Sequence, residues 1–219
     1  MFNLIFVIIL SYLVGSIPNS IIISKLVKGI DIREFGSGNA GGTNVFRVLG
    51  WKWGILTILL DALKGAIAVI VVARLYLDNF PFNNITPFDD FTLVQIICGV
   101  AAVIGHVFTV FAGFKGGKGI ATGLGVLIMI VTVDMALALA VFFIVVGLSR
   151  YISLGSLAAA IAVPLIMIIR ENIFGVDIQG YHTILPFVIV LALFVIYTHR
   201  SNILRIINGN ERKISFSKK

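Results

Sequence analysis

The sequence is short of charge and of cysteine, and both shortages exclude classes of protein. Asp, Glu, Lys and Arg make up only 12% of the 219 residues, whereas 59% are apolar. An ordinary soluble domain is about 25% charged, because its surface faces water. The low charge, with uncharged stretches such as 2–24 and 135–149, therefore predicts a polytopic membrane protein rather than a soluble globule.

The single cysteine, Cys98, lies in an apolar run and excludes both an intrachain disulfide and a cysteine metal site. The net charge of +7 is not typical of a nucleic-acid-binding protein here, because the basic residues fall in short loops between apolar runs. Such clusters determine membrane topology and contact anionic lipid or anionic substrate. We therefore expect no metal, no cofactor and no nucleic acid, but close contact with membrane lipid. The absence of a basic residue before the first apolar run argues against a cleaved signal peptide.

The apolar runs predict an all-α integral membrane protein. Residues 120–148 could form one long helix or two helices separated at Asp134. Two helices place every basic residue except Lys64, Arg74 and Arg170 on the cytoplasmic side, as the positive-inside rule favours. We therefore predict one membrane-embedded domain over 1–219, with seven transmembrane helices, the N-terminus outside, the C-terminus inside and an external loop at 78–90. The predicted helices are residues 2–24, 54–77, 91–111, 120–132, 134–148, 153–169 and 183–198.

Three polar segments fall on the cytoplasmic side, and the first comprises residues 29–50. Its four closely spaced glycines leave backbone N–H groups uncovered, so that consecutive amides can converge on an anion. Ser37 adds a hydroxyl, and Arg47 adds a planar cation suited to phosphate. The alternatives are a flexible turn or a dinucleotide-binding G-x-G-x-x-G loop, but no strand precedes the glycines. The predicted binding residues are Gly36, Gly38, Asn39, Gly41, Thr43 and Asn44.

The second segment, residues 113–119, combines paired glycines with two lysines at the start of a predicted helix, where N–H dipoles favour an anion. It is not a Walker A loop, because no Ser or Thr follows Lys118. Lys115 could serve only to fix the topology, whereas Lys118 lies between two glycines and is the better phosphate ligand. We interpret the preceding His106 as a structural, hydrogen-bonded histidine. The predicted binding residues are Lys115, Gly116, Gly117 and Gly119, together with Lys118.

The third segment, residues 198–211, leaves the last apolar helix. His199 and Asn202 are three residues apart, so they share a face if the helix continues, and Arg205 lies close to that face. A solvated basic tail is the alternative interpretation. It explains the residues from Arg212 onward but not the histidine and the asparagine.

These motifs resemble those of the bacterial acyl-phosphate:glycerol-3-phosphate acyltransferase family. The resemblance covers GSIPNS in the first helix, GxDxRxxGSGNxGxTNxxRxxG at 29–50, GHxFxVFxGFKGGKGxAT at 105–122 and HRxNIxRxxxGxE at 199–211. It implies a seven-helix enzyme of the bacterial cytoplasmic membrane. The reaction it implies is acyl transfer from acyl phosphate to the 1-hydroxyl of glycerol 3-phosphate. The products are lysophosphatidic acid and phosphate, in the first step of phospholipid synthesis.

The resemblance also implies roles for individual residues. The 113–119 segment binds glycerol 3-phosphate, while His199 and Asn202 orient the acceptor hydroxyl. The general base is either His199 or a phosphate oxygen of the substrate. Glu211 is structural and pairs with a loop arginine. The catalytic residues are Ser37, Arg47, Lys118, His199 and Asn202.

An acyl phosphate is a mixed anhydride with a good leaving group, so its transfer requires no covalent nucleophile. The sequence agrees, since it has neither an H-x-x-x-x-D dyad nor a G-x-S-x-G motif. The rival interpretation is a phosphate-ester transporter, in which Asp61 and Lys64 form a site near the bilayer midplane. No inverted repeat is visible in the sequence, and we interpret these two residues as an internally neutralised structural pair.

Overall fold

The computed structural model describes residues 2–77, 83–86, 88 and 90–214, and over these residues its regular structure is entirely helical. The all-α class is therefore confirmed. The helix α4 (Trp51–Ile67) continues as a π-helical turn, Ala68–Val72, and a 3₁₀ turn, Ala73–Leu75. Two further 3₁₀ turns are Ile32–Glu34 and Val110–Ala112. The α-helices are α1 (Phe2–Ser16), α2 (Asn19–Lys28), α3 (Gly42–Leu49), α4 (Trp51–Ile67), α5 (Asp90–Val107), α6 (Ile120–Ile130), α7 (Thr132–Ser149), α8 (Ile152–Asn172), α9 (Tyr181–Thr198) and α10 (Arg200–Ile207).

Six helical segments of the described chain are long and apolar enough to cross a membrane. The apolar helix α6 has only 11 residues, whereas a crossing of ~30 Å takes about 20. The count of seven crossings and the orientation of the chain therefore stay predictions. Residues 78–82, 87 and 89 of the predicted external loop lie outside the described residues. The six segments are Asn3–Lys28, Trp51–Leu75, Asp90–Ala112, Thr132–Ser149, Ile152–Asn172 and Tyr181–Thr198.

The two-helix interpretation of residues 120–148 is confirmed, although the break lies earlier than Asp134. Helix α6 ends at Ile130, and Val131 leaves the helical conformation with φ −130° and ψ 63°. Asp134 lies in the first turn of α7, where a carboxylate stabilises a helix N-terminus. Its Oδ2 is also 2.8 Å from a guanidinium nitrogen of Arg170 at the end of α8. The aspartate thus starts the new helix instead of separating the two.

A second break was not predicted. The sequence predicts one helix over residues 2–24, but α1 and α2 are separated at Ile17 and Pro18. Proline lacks an N–H donor and its ring clashes with the preceding turn, so it interrupts the helix. The carbonyl groups of Ser16 and Ile17 accept hydrogen bonds from the Thr109 hydroxyl and from Lys64 Nζ, respectively. The interruption therefore brings polar groups into an otherwise apolar segment.

The helices form two compact units, Met1–Ile130 and Val131–Lys219. In the first unit α1 packs on α5, and α4 packs on α3 and α6; in the second, α8 packs on α7 and α9. The contact of α1 with α5 requires a glycine, because a Cβ atom at Gly15 would lie 2.1 Å from the carbonyl oxygen of Ala102. The organisation of the chain as one domain stays a prediction.

Candidate functional site

Asn44 organises the first glycine-rich segment from within the first unit. Its side chain is almost fully buried at 1% exposure. The amide nitrogen donates to the carbonyl oxygens of Ile32, Phe35 and Asn39 at 2.9–3.1 Å. The amide oxygen accepts the backbone N–H of Ser37 at 2.8 Å. Asn44 therefore shapes the loop, and direct binding of a substrate by this side chain stays a prediction.

The loop that Asn44 holds presents Ser37 on an exposed turn. Gly36 and Gly38 flank the serine with φ of 63° and 75°, a left-handed conformation that favours glycine. Two glycines in this conformation turn the backbone sharply on either side of the hydroxyl. The structure thus explains why the serine lies between two glycines.

Helix α3 follows the loop and carries the cation of this segment. Gly41 is its N-cap residue, with an extended φ of −143°. Thr43 and Arg47 are four residues apart on α3, so they share a face of the helix, and both are half-buried. The hydroxyl and the guanidinium are therefore positioned by one rigid element.

Arg33 joins the first segment to the second, a role that the sequence analysis did not assign. Its guanidinium contacts the Asp31 carboxylate at 2.7 Å and donates to the carbonyl oxygen of Ala112 at 2.8 Å. The hydrogen bonds from Arg33 hold the pKa of the Asp31 carboxyl below its ordinary value of 3.8. The same bond raises the pKa of Arg33. Since Ala112 directly precedes residues 113–119, this arginine fixes one polar segment against the other.

The second segment is fastened to the end of α5 by its paired glycines. The N–H groups of Gly116 and Gly117 donate to the carbonyl oxygens of Val107 and His106 at 3.0 and 3.1 Å. Glycine is required here because a Cβ atom at Gly116 would lie 1.9 Å from the His106 carbonyl oxygen, and one at Gly117 would lie 2.2 Å from His106 Nε2. These two amides are thus engaged within the protein, and their direct binding of phosphate stays a prediction.

The cations of the second segment lie on either side of these glycines. Lys115 is exposed, whereas Lys118 is half-buried. Gly119, with φ of 83°, turns the chain into the N-terminus of α6. The half-buried lysine therefore lies beside a helix N-terminus, and both features favour an anion.

A buried polar group, here called the Asp61 cluster, consists of Asn19, Asp61, Lys64 and His106. Oδ1 of Asp61 lies 3.0 Å from Lys64 Nζ, 3.7 Å from His106 Nδ1, and accepts a 3.0 Å hydrogen bond from Asn19. Lys64 also donates to the carbonyl oxygen of Ile17 at 2.8 Å. Asp61, Lys64 and His106 are each less than a tenth exposed. The predicted internal pairing of Asp61 with Lys64 is present in this geometry. The distance from His106 to Asp61 is longer than a hydrogen bond, so the hydrogen-bonded, structural role of His106 stays a prediction.

The Asp61 cluster adjoins both glycine-rich segments of the first unit. The lining of a small cavity includes all four members of the cluster together with Ala40, Gly116 and Gly117. It has room for about one water molecule. The sequence alone does not indicate that these charged helix residues adjoin the loops. The available signal was the presence of ionisable residues inside a membrane-spanning helix, which is often functional.

In the second unit, Glu211 gathers the polar side chains of the third segment. Its Oε1 accepts hydrogen bonds from Ser153 and Asn202 at 2.9 and 2.8 Å, and its Oε2 accepts one from Arg205 at 2.7 Å. Burial opposes the charge, but the hydrogen bonds from Arg205, Asn202 and Ser153 outweigh it and hold the pKa of Glu211 below its ordinary value of 4.5. The expected pairing of Glu211 with a loop arginine is therefore present, and the arginine is Arg205.

His199 lies at the junction of α9 and α10 and is 3% exposed. Its Nδ1 is 2.9 Å from the carbonyl oxygen of Val195. Because a carbonyl oxygen can only accept a hydrogen bond, Nδ1 carries the proton and the lone pair of the neutral ring is on Nε2. Asn202 is also buried, and the hydrogen bond to Glu211 orients its amide. The third segment therefore holds both predicted residues in fixed orientations.

No group of three or more His, Cys, Asp or Glu side chains that could hold a metal ion occurs in the described ranges 2–77, 83–86, 88 and 90–214. The cationic side chains of the two glycine-rich segments instead suit anionic ligands. Cationic side chains of this kind can bind phosphate and stabilise negative charge.

The sequence and the fold of this chain are similar to those of known proteins. The family described as Glycerol-3-phosphate acyltransferase matches residues 5–209. The Glycerol-3-phosphate acyltransferase of Chlorobaculum tepidum is 49% identical over 228 residues, covering 97% of this chain and 97% of that protein. The protein of the same description from Chlorobium phaeobacteroides strain BS1 is 47% identical, covering 99% of this chain and 98% of its own.

Two crystal structures of PlsY (YgiH), an integral membrane glycerol 3-phosphate acyltransferase, are also similar. The glycerol 3-phosphate form has a TM-score of 0.79 and 38% identity, covering 97% of this chain and 96% of that chain. The lysophosphatidic acid form has a TM-score of 0.76 and 37% identity, covering 97% of this chain and 95% of that chain. The similarity thus extends over nearly the whole chain in sequence and in fold.

Proposed function

The chain belongs to the glycerol-3-phosphate acyltransferase family, and from that premise we propose that its acyl donor is an acyl phosphate. The acceptor is the 1-hydroxyl of glycerol 3-phosphate, and the products are lysophosphatidic acid and inorganic phosphate. This reaction is the first step of phospholipid synthesis. We place it at the cytoplasmic membrane of a bacterium.

The observation that carries the donor assignment is the presence of two cationic, glycine-rich segments in one unit. Arg47 on α3 is the cation of the first segment, and Lys118 beside α6 is the cation of the second. Arg33 fixes the two segments together through Asp31 and Ala112. Two phosphorylated substrates, acyl phosphate and glycerol 3-phosphate, account for two such segments better than one phosphorylated substrate does.

The reaction needs orientation and charge stabilisation rather than a covalent nucleophile. The 1-hydroxyl oxygen attacks the acyl carbonyl carbon, and the bond from that carbon to the phosphate oxygen breaks. Phosphate leaves with the electron pair of that bond, while negative charge grows on the carbonyl oxygen and on the phosphate. We assign Arg47 and Ser37 to the stabilisation of this charge, and Lys118 to glycerol 3-phosphate and to the same developing charge.

We assign the orientation of the acceptor hydroxyl to His199 and Asn202. The tautomer with the lone pair on Nε2 of His199 supports this assignment, because that nitrogen can accept a hydrogen bond from a hydroxyl. The hydroxyl proton has two candidate acceptors, His199 and a phosphate oxygen of the substrate. Replacing His199 by glutamine separates them: a loss of about 10²–10⁴ in kcat indicates the histidine, and a much smaller loss indicates the phosphate.

We retain seven crossings, with α6 as a short crossing and all three polar segments in the cytoplasm. The basic residues support this arrangement, because they then lie almost entirely on one side. Both phosphorylated groups are water-soluble, whereas the acyl chain belongs in lipid. A membrane-embedded enzyme with cytoplasmic loops brings the two together.

Purified protein in detergent, supplied with an acyl phosphate and labelled glycerol 3-phosphate, tests the proposal. We expect equal amounts of lysophosphatidic acid and phosphate to form. The same protein in sealed vesicles should carry no phosphate ester across the membrane. Flux without acyl transfer would establish the rival transporter function and refute the proposed one.

A further inference from the structure

The proposed reaction makes no use of the Asp61 cluster, although the cluster buries three ionisable side chains within membrane-spanning segments. Ionisable groups at such positions are costly, rare and usually tied to function. The 3.0 Å pairing with Lys64 balances the charge of Asp61, which explains how the protein tolerates the carboxylate. It does not explain why the carboxylate also faces Asn19 and His106.

His106 connects the cluster to the second glycine-rich segment. One side of its ring faces the carboxylate, with Nδ1 3.7 Å from Asp61 Oδ1. The other side is packed so closely on Gly117 that a Cβ atom there would lie 2.2 Å from Nε2. The main chain of His106 also accepts the Gly117 N–H at 3.1 Å. The imidazole therefore packs directly against Gly117, the residue directly before Lys118.

The cluster itself is too enclosed to bind the substrate. The adjoining cavity, lined by Ala40, Gly116 and Gly117, has room for about one water molecule and not for a glycerol phosphate. Lys64 is 4% exposed and already contacts Asp61 and the Ile17 carbonyl oxygen. Any effect on the substrate must therefore pass through the glycine turn.

We propose that Asp61 and His106 are positioning residues that fix the turn at Gly116–Gly117 and thereby set the affinity of the enzyme for glycerol 3-phosphate. Asp61 orients the imidazole, and the imidazole holds the turn that presents Lys118. Neither residue touches the substrate. The inference rests on the proposed function, because it takes residues 113–119 as the glycerol-3-phosphate site.

The first test replaces His106 by alanine, which removes the contact with Gly117 but leaves the Asp61–Lys64 pair intact. We expect KM for glycerol 3-phosphate to rise on the order of ten-fold, while KM for acyl phosphate changes by about two-fold or less. The thermal unfolding midpoint is measured on the same preparations. An unchanged KM for glycerol 3-phosphate, or equal increases in both KM values, overturns the proposal.

The second test compares two double variants. Both replace Asp61 and Lys64 by neutral residues, so both lack the ion pair. Asp61→Asn with Lys64→Met keeps an acceptor oxygen for His106 and Asn19, whereas Asp61→Leu with Lys64→Met removes it. We expect KM for glycerol 3-phosphate to rise on the order of ten-fold in the leucine variant and by about three-fold or less in the asparagine variant. Equal KM values in the two variants assign the cluster a purely structural role and overturn the proposal.

Calorimetric titration of glycerol 3-phosphate into the wild type and the His106→Ala variant separates this inference from the proposed function, since it requires no turnover. Weaker binding by the variant supports the positioning role even if the wild type fails to use acyl phosphate. Equal binding by the two proteins overturns the positioning role even if the wild type transfers acyl groups efficiently.

Discussion

Asp61 in the first unit and Glu211 in the second are both buried carboxylates that hold a polar segment in place. They differ in how far along the chain their partners lie. Glu211 bonds Asn202 and Arg205, nine and six residues before it, together with the more distant Ser153. Asp61 pairs with Lys64 on its own helix, but its other partners, Asn19 and His106, are more than 40 residues away in the chain.

Because their partners differ, we expect the two carboxylates to affect different properties of the enzyme. Glu211 lies beyond the last membrane-spanning helix and orients Asn202 directly, so we expect its loss to disturb the residues that orient the acceptor hydroxyl. Asp61 lies inside a membrane-spanning helix, and His106 lies between it and the glycine turn. We therefore expect changes near Asp61 to alter substrate affinity and changes at Glu211 to alter turnover and stability.

The comparison of Asp61 with Glu211 requires that the Glu211 segment and the glycine-rich segments face the same compartment. Labelling of introduced cysteines tests this requirement with an all-or-none result. Single cysteines at Ile85 and Asn210, in a Cys98→Ser background, are treated with a membrane-impermeant thiol reagent. Five crossings separate these exposed positions if α6 spans the membrane, so we expect Ile85→Cys to react in intact cells and Asn210→Cys only after lysis. Reaction of both from outside would reduce the count to six crossings and place Glu211 on the wrong side.

We expect the next largest effect, on kcat/KM for glycerol 3-phosphate, from replacing Lys118 in residues 113–119. Replacing Lys118 by alanine removes a hydrogen bond from a charged group to phosphate, worth about 1.5–3 kcal/mol. We expect kcat/KM for glycerol 3-phosphate to fall ten-fold or more, since about 1.4 kcal/mol corresponds to a factor of ten. The exposed Lys115 provides the matched control, and its alanine variant should lose much less. Equal losses of kcat/KM in the two variants would indicate a general electrostatic effect of both lysines. Near wild-type kinetics for Lys118→Ala would show that Lys118 does not belong to the site.

Removing the acceptor at Glu211 tests the second half of the comparison. Glu211→Ala leaves the buried donors of Ser153 and Asn202 without their acceptor, which costs about 1–3 kcal/mol of unfolding free energy. Glu211→Gln keeps one oxygen acceptor and should lose less. Thermal unfolding in detergent measures both variants, alongside kcat. A wild-type midpoint for Glu211→Ala would show that the cluster does not hold the segment.

The smallest effect is the pH dependence of the Glu211 contribution. The pKa of Glu211 in the folded protein lies below its ordinary value of 4.5, because the hydrogen bonds from its three donors outweigh the cost of burial. Its charged form therefore stabilises the folded state above pH 4.5, and this contribution is lost as the pH falls through the folded pKa. The difference in unfolding midpoint between wild type and Glu211→Gln should shrink as the pH is lowered below 4.5. A constant difference across that range would assign the stabilisation to packing instead.

The sequence was sufficient to predict features that depend on local patterns. Hydrophobic runs predicted most of the helices, and the distribution of basic residues favoured two helices over residues 120–148. The family resemblance implied that Glu211 pairs with a loop arginine. Features that depend on distant contacts were missed. The break at Pro18 was missed because a proline inside an apolar run can also be accommodated as a kink.

The engagement of the paired glycines by α5 was missed for a similar reason. Uncovered amides for a ligand and close approach of another helix both require glycine, and the sequence alone does not distinguish them. The link from Asp61 through His106 to Gly117 joins residues more than 50 positions apart in the chain, so it became visible only when the helices were packed together.

The choice of acyl donor tests the central claim most directly. Acyl phosphate places its leaving phosphate against cations where charge grows in the transition state, whereas acyl-CoA needs a surface for its nucleotide. Purified protein is assayed for lysophosphatidic acid with glycerol 3-phosphate and acyl phosphate, acyl-CoA or acyl carrier protein as donor, with and without a chelator. The account predicts turnover with acyl phosphate alone and no effect of the chelator. Efficient use of acyl-CoA with no activity on acyl phosphate would contradict it.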